Sequence, residues 1–425
     1  MEEFLFVRCS KYFTEPSIQR RLTIRFSLVF IFLVMLSSAS LAEPPWRFIV
    51  TADCRSESAS DNNGVNVTIL SEIVAEILKA NVDFFLFAGD LAIGTTDQAE
   101  QEKQFLTWRK TMLPVYETGI PVYIVRGNHD ASSYPSCITA WNNVFKDETA
   151  SGGLDYSLPK NGPLMELNLT YYVAHKNALI LALDELRTAT RSIDYVNQTW
   201  IDAQLATNTL PHVFAFGHFT AFKMLWDSLG DHPADRDLFW NSLENAGART
   251  YFCGHEHFYD RARADDDGDP NNDLYQYVIG SAGASAHTWN PNNPYPGNNS
   301  GRTITPVYHT KSFGYVIVDI NDLDVTLTWM ERQTNDPSIP GIYSPKDIFS
   351  YAVTCGDAAH PYPDGDLNSD CYVDSYDFAI IANQWLQTGV LSADIAPPGG
   401  DKHVNYYDLT VFAENWLSCT APECY

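Results

Sequence analysis

The chain has 425 residues, room for one large core and a smaller second domain, and its 45% apolar and 13% aromatic content excludes an unfolded polar polymer. With 27 Lys and Arg against 53 Asp and Glu, the formal charge of -26 repels polyanions and argues against a broad nucleic-acid groove, while it suits solubility and cation binding.

Residues 1–42 are expected to be a signal peptide. Arg20, Arg21 and Arg25 precede the apolar run Phe26 to Leu36, and Ser40-Leu41-Ala42 offers small residues for cleavage. The run is short for a bilayer span. The expectation is therefore a secreted or extracytoplasmic protein, with no membrane segment after cleavage.

From Trp46 to Arg332, strand and helix patterns alternate, which predicts an α/β domain over 43–332. Phe48-Ile49-Val50, Phe84 to Phe87 and Val122 to Val125 are apolar runs of strand length, as are Ala178 to Leu183, Val213 to Phe216 and Thr250 to Cys253. Ile69, Leu70, Ile73, Val74, Ile77 and Leu78 recur with helical period, so 66–79 is expected as an amphipathic helix. Gln101 to Met112, Trp200 to Leu205 and Asp237 to Ala246 are further expected helices. Val316 to Ile320 and Val325 to Trp329 resemble a closing hairpin. The acidic segment Asp265 to Asp273 lacks EF-hand spacing and is expected as a solvated loop. His287 and Trp289, in a Pro/Asn-rich loop, are expected near a substrate cleft. Residues 333–363 hold Pro337, Pro340, Pro345, Pro361 and Pro363 and are expected as a linker.

Residues 364–425 form the expected second domain. Asp377 to Leu386 recurs as Asp408 to Leu417, each copy a short helix entered through an acidic loop. Asp366, Asn368, Asp370, Asp374 and Asp377 stand at positions 1, 3, 5, 9 and 12 of a loop, the spacing by which EF-hand-type loops wrap Ca2+ with oxygens. In the second copy Asp401, Asn405 and Asp408 match positions 5, 9 and 12, and Asp394 serves as position 1 only across a three-residue insertion. Cys355, Cys371, Cys419 and Cys424 suit two disulfides in an exported protein, with all three pairings open. Cys54, Cys137 and Cys253 are left over, and Cys253, in an expected buried strand, would behave as a small apolar thiol.

Five short motifs in the first domain carry the chemistry: Asp53-Cys54-Arg55, Gly89-Asp90, Gly127-Asn128-His129-Asp130, Gly217-His218 and Gly254-His255-Glu256-His257. Most follow a predicted strand, so the donors would line one rim of a sheet, where open α/β sheets bind ligands. Carboxylate, amide oxygen and imidazole are the donors that hold paired divalent ions. Asp90, Asn128, His218 and His255 would hold one ion; Asp53, Asp90 and His257 would hold the other, with Asp90 bridging. Such a pair lowers the pKa of a shared water, and the resulting hydroxide attacks phosphorus. His129 is the candidate acid for the leaving alkoxide, with Asp130 orienting its ring.

This order of motifs resembles the calcineurin-like metallophosphoesterase superfamily, which includes the purple acid phosphatases, over roughly Trp46 to Arg332. The resemblance implies a four-layer α/β/β/α sandwich that hydrolyses phosphate esters using two divalent transition ions, Mn, Fe or Zn. Two positions depart from the pattern. Position 55 is Arg where the family usually has His, and Arg has no lone pair to give a metal. Water filling the gap, a weak second site, a phosphate clamp and a salt bridge are the open readings of Arg55. Ile93 stands where purple acid phosphatases place Tyr, so no tyrosinate–iron chromophore is expected.

The tandem acidic loops resemble a type I dockerin over 364–417. That implies a small all-α, calcium-folded module docking on a cohesin-like or cell-surface partner. Ser375-Tyr376 and Tyr406-Tyr407 occupy the positions that carry partner choice in that family. A stability or surface-retention module is the other reading. For the whole chain the competing class is a catalytically silent assembly protein with the Asp53 site disabled by Arg55.

Overall fold

The computed structural model describes residues 44–132, 135–186, 196–268, 273–353, 362–368, 371–397 and 399–419. The expected signal segment, Cys355, Cys424 and Asp370 lie outside the described residues.

In chain order the strands are β1 (Trp46–Thr51), β2 (Phe84–Ala88), β3 (Val122–Val125), β4 (Tyr171–His175), β5 (Ala178–Ala182), β6 (His212–Phe216), β7 (Thr250–Cys253), β8 (Tyr259–Asp265), β9 (Leu274–Ile279), β10 (Thr303–Thr310), β11 (Gly314–Asn321), β12 (Asp324–Arg332) and β13 (Tyr343–Ala352). The helices are α1 (Val67–Ala80), α2 (Gln98–Thr111), α3 (Leu113–Glu117), α4 (Ser136–Val144), α5 (Gln198–Ala206), α6 (Pro233–Asn245), α7 (Ser375–Gln384) and α8 (Tyr406–Glu414). One six-stranded sheet runs β13-β12-β11-β1-β2-β3, and one seven-stranded sheet runs β10-β8-β9-β7-β6-β5-β4. Within them β1, β2 and β3 are parallel, as are β5, β6, β7 and β9.

Period-two alternation sorts the side chains of these strands into layers. Phe48 of β1 meets Phe214 and Phe252 of the other sheet, with ring centroids 5.3 and 6.3 Å apart, so these rings join sheet to sheet. Phe87 of β2 points the other way and packs on Trp108 of α2 at 5.4 Å. On the far side, Tyr251 of β7 packs on Phe239 of α6 at 5.3 Å. The order helix, sheet, sheet, helix follows from these contacts. α1 buries Ile69, Leu70, Ile73, Val74 and Ile77 as its period predicts, while Leu78 at the margin is exposed. Its start is capped by the Asn66 side chain, which accepts from Ile69 N at 3.2 Å.

The expected linker at 333–363 is corrected by β13, which pairs with β12 along the edge of the first sheet. Asp347 of β13 accepts two bonds from Arg261 of β8, each 2.7 Å, and one from Tyr259 Oη at 2.8 Å, so this edge strand is also tied to the second sheet. The prolines misled for a physical reason. Pro345 lies beside a register shift on an edge, where a missing N–H breaks no ladder. β4, β8, β9 and β10 also carry no strand pattern in the sequence analysis; Asp265 ends β8 and Asp273 immediately precedes β9.

Residues 362–419 carry α7 and α8 around a small core of Val373, Ile381, Ala393, Val404 and Phe412. The two copies repeat in backbone detail. Cys371 and Lys402 are left-handed at φ 68 and 70, and Leu386 and Leu417 at φ 59 and 65. Among the described residues no helix is long and apolar enough to cross a membrane.

Candidate metal centre

β1, β2, β3, β6 and β7 each end two or three residues before one of the predicted donors. Three of those donors, Asp53, Asp90 and His255, have φ of 61, 55 and 68, a left-handed conformation that side chains other than Gly seldom adopt. The turns are held by backbone bonds between motifs: Asp53 N to Gly89 O at 3.0 Å, Cys54 N to Asp90 O at 3.1 Å and Gly254 N to His218 O at 2.9 Å. Gly127 and Gly254 are needed for space, because a Cβ at either would collide with the Asp90 or the Asp53 carboxylate.

The hydrogen bonds fix the imidazole tautomers. His218 Nδ1 lies 2.9 Å from Ala88 O, and His257 Nδ1 lies 2.8 Å from Ser285 O. A carbonyl only accepts, so each Nδ1 carries the proton and each Nε2 presents a lone pair. Those lone pairs face other acceptors. His218 Nε2 lies 3.1 Å from Asn128 Oδ1 and 3.5 Å from Asp90 Oδ1; the His255 ring, whose tautomer no carbonyl fixes, brings Nδ1 to 3.1 Å from the same Asn128 oxygen. His257 Nε2 lies 3.6 Å from Asp53 Oδ1, which is buried with no hydrogen-bond partner. Asp53, Asp90 and His218 offer donor atoms all within 4.8 Å of one another. Acceptors aimed at one another repel unless a cation lies between them, so the donor set fits a metal centre. The four donors Asp90, Asn128, His218 and His255 suit one ion; Asp53, Asp90 and His257 leave a second one donor short.

The electrostatics agree with this. Burial, and then the adjacent Asp90 charge, push the Asp53 carboxyl well above the ordinary carboxylate range. Burial presses Asp90 the same way, but the His218, His129 and His255 imidazoles bring it below its ordinary value. Burial, with the neighbouring His287 and Arg55, takes His257 down to about 3, and burial, with His218, takes His255 well down too. Both rings are therefore neutral, the form that ligates metals.

Arg55, His129 and Asp130 occupy three different roles. Arg55 Nε is buried, lies 3.9 Å from Asp90 Oδ2 and donates to no protein atom. His129 Nδ1 is 2.5 Å from Ile93 O, which leaves Nε2 on the cavity side, 3.9 Å from Asp90 Oδ2. Asp130 does not orient that ring, contrary to expectation. It is buried and accepts from Leu91 N at 3.1 Å and Gly127 N at 2.9 Å, bracing the turns that carry Asp90 and Asn128.

A cavity of about 280 Å³ opens above these groups, with Arg55 and His129 on its walls and Trp226, Asp227 and His287 among its lining residues. His287 was expected at the cleft; Trp226 and Asp227 carried no sequence signal. Two buried carboxylates were missed as well. Glu185 Oε2 accepts from His218 N and Phe219 N at 2.6 Å each, and burial lifts its carboxyl to about 7. Glu256 Oε1 accepts from Leu225 N and Trp226 N at 2.9 and 2.8 Å. Its place between His255 and His257 was the available clue.

Residues 47–259, half of the chain, match the family described as calcineurin-like phosphoesterase. The chain is 22% identical over 324 residues to tartrate-resistant acid phosphatase type 5 of Homo sapiens, covering 70% of this chain and 91% of that protein. Against the same enzyme of Mus musculus it is 23% identical over 253 residues, covering 54% of this chain and 72% of that one. Among solved structures, a purple acid phosphatase from yellow lupin (Lupinus luteus) seeds superposes with a TM-score of 0.54 at 16% identity, covering 74% of this chain and 55% of that chain.

Proposed function

The chain belongs to the calcineurin-like phosphoesterase family and is a phosphoric ester hydrolase, and we propose that it cleaves phosphate mono- or diesters at a centre of two unequal cation sites beside Arg55. The observation that carries this is the convergence of His218 Nε2 and His255 Nδ1 on Asn128 Oδ1 at 3.1 Å each, beside a buried Asp90. Bound divalent ions of the Mn, Fe or Zn type would supply Lewis acidity, lowering the pKa of water and neutralising charge on the phosphoryl oxygens. The chain supplies the rest. The Arg55 guanidinium, with Nε unsatisfied beside the cavity, is suited to a phosphoryl oxygen. His129, its Nδ1 anchored on the Ile93 carbonyl, holds Nε2 where it can protonate the leaving oxygen. Metal analysis of purified protein, with turnover of chromogenic mono- and diesters under each metal, tests the reading. A protein that binds no transition metal and turns over neither class is the silent assembly protein instead.

The proposal extends to the rest of the chain. We place residues 364–425 as a calcium-binding, dockerin-like module on an exported enzyme, retained by a cohesin-like or cell-surface partner. Matching carboxylate contacts support calcium in both loops. Asp377 Oδ1 accepts from Leu367 N at 2.7 Å and Oδ2 from Asp374 N at 2.9 Å; Asp408 Oδ1 accepts from Ile395 N at 2.7 Å and Oδ2 from Asn405 N at 2.7 Å. Asp366 accepts from Cys371 N, and Asp394 from Lys402 N, each at 2.7 Å. These two bonds match across the copies although three more residues separate Asp394 from Lys402 than Asp366 from Cys371. Asp401, Asn405 and Asp374 bond the backbone two residues on, as ligand loops of this kind do. Export is supported by Cys371 and Cys419, both disulfide-bonded.

A further inference from the structure

The cavity above the metal centre has one wall that hydrolysis of a phosphoryl group does not require. Trp226 lines it with 57% of its surface exposed, although indoles are normally well covered. Its backbone is not loose. The fully buried Glu256 carboxylate takes Leu225 N and Trp226 N on one oxygen and lies 3.1 Å from His287 Nδ1 with the other. The His287 ring stacks on His257 with centroids 3.9 Å apart, and Trp226 meets His287 edge-on at 6.0 Å. The result is a graded aromatic wall, from the donor His257 through His287 to Trp226. Glu256, which ties that wall to the centre, lies between His255 and His257. Asp227 lies beside Trp226 on the cavity and, with the overall charge of -26, disfavours further anionic groups on the substrate.

We propose that Trp226 is a stacking platform for the leaving group, and that the substrates are phosphoesters of low charge whose leaving group presents a flat ring, in preference to polyphosphates or purely alkyl esters. The inference rests on the phosphoesterase reading. Its energetic basis is general: a flat ring stacks on an indole whatever the ring's hydrogen-bonding pattern.

The test uses the full chain supplemented with Mn2+ and two esters of matched size and leaving-group basicity, benzyl phosphate and cyclohexylmethyl phosphate, which differ in ring planarity. The wild type should favour the benzyl ester in kcat/KM. Trp226→Ala should raise KM for benzyl phosphate about tenfold and for the cyclohexylmethyl ester no more than about twofold, with Trp226→Phe restoring most of the difference. Binding of the two corresponding phosphonates, followed by calorimetry, separates this inference from the hydrolase reading. Tighter binding of benzylphosphonate that Trp226→Ala abolishes, without hydrolysis of either ester, upholds the platform and defeats the hydrolase. Hydrolysis of both esters with equal KM changes in Trp226→Ala, or no phosphonate preference, overturns the platform.

Discussion

The molecule gathers oxygen and nitrogen donors by two opposite routes. In residues 44–353 the donors are remote: Asp53 and His255 stand 202 positions apart and meet through a 2.9 Å bond from His255 N to the Asp53 carboxylate. Two packed sheets bring them together, and their backbones are held in left-handed turns by bonds between motifs. In residues 362–419 each carboxylate set sits within one short loop, over the small apolar core that includes Val373, Ile381 and Phe412. The first arrangement rests on two large buried apolar clusters, so its fold is expected to stand without ions, while its buried carboxylates repel one another. The second has so little buried surface that calcium is expected to be part of the folding free energy.

The largest effect belongs to Asp90. Asp90→Asn should lower turnover by on the order of 10^3-fold or more and strip the tightly held metal, because Asp90 faces both donor groups. The metal-free variant should melt no lower than metal-free wild type, since the Asp90 charge is a principal cause, after burial, of the raised Asp53 carboxyl. Loss of the folded state in the variant would erase the contrast, making the first centre as structural as the second.

Calcium removal comes next. In excess EGTA the amides of α7 and α8 should lose protection from hydrogen exchange by about 100-fold or more, while those of β1, β2 and β3 stay protected. Trp385 and Trp416, partly buried against the small core, should report the same change by fluorescence. Equal protection of α7 and α8 in calcium and in EGTA would sink the calcium assignment.

His129→Ala sharpens the comparison inside the first region by separating an acid from a donor. Turnover of alkyl esters should fall about 10^2- to 10^3-fold and that of nitrophenyl esters much less, with metal content unchanged. The basis is a ring anchored on Ile93 O, with Nε2 directed to the cavity rather than to another donor. A uniform loss across leaving groups assigns His129 a structural role.

The same contrast governs what the residues disclose before folding. A donor that follows an apolar run and a glycine is a local pattern, weak singly, so Asp53, Asp90, Asn128, His218, His255 and His257 stand out as candidates only as an ordered set of motifs. The supports do not stand out. Glu185 acts on His218 from 33 positions away, and Glu256 on Trp226 from 30, distances at which no period or spacing links them. Asp130 was misassigned because adjacency to His129 says nothing of direction; its partners are Leu91 and Gly127. β13 hid for another reason. It is an edge strand, half-exposed, with Pro345 and Lys346, and its tie to Arg261 becomes apparent only once two sheets face each other. In the C-terminal copies the local spacing marks the first loop as a candidate, while the correspondence of Lys402 to Cys371 in the second is visible only in the backbone.

Arg55 gives the smallest predicted effect and the closest test of how the first centre balances its charge. Its guanidinium lies 3.9 Å from Asp90 and lines the cavity, in the position where the family resemblance places a ligating imidazole. A guanidinium has no lone pair, so the Asp53 site keeps Asp53, Asp90 and His257 alone, beside a fixed positive charge that opposes a second cation. Wild-type protein should therefore hold one ion per chain through dialysis and take up a second only from added metal. Arg55→His removes the opposing charge and adds a donor, and should raise retained metal toward two per chain. If Arg55 also clamps the phosphoryl group, the same change should raise KM several-fold, since a bidentate charged contact is lost. More metal with an unchanged KM would leave Arg55 as a substitute for the second ion and no more. Two tightly held ions in the wild type, unaltered in Arg55→His, would mean that the missing donor is supplied elsewhere, and the inequality of the two sites would fall.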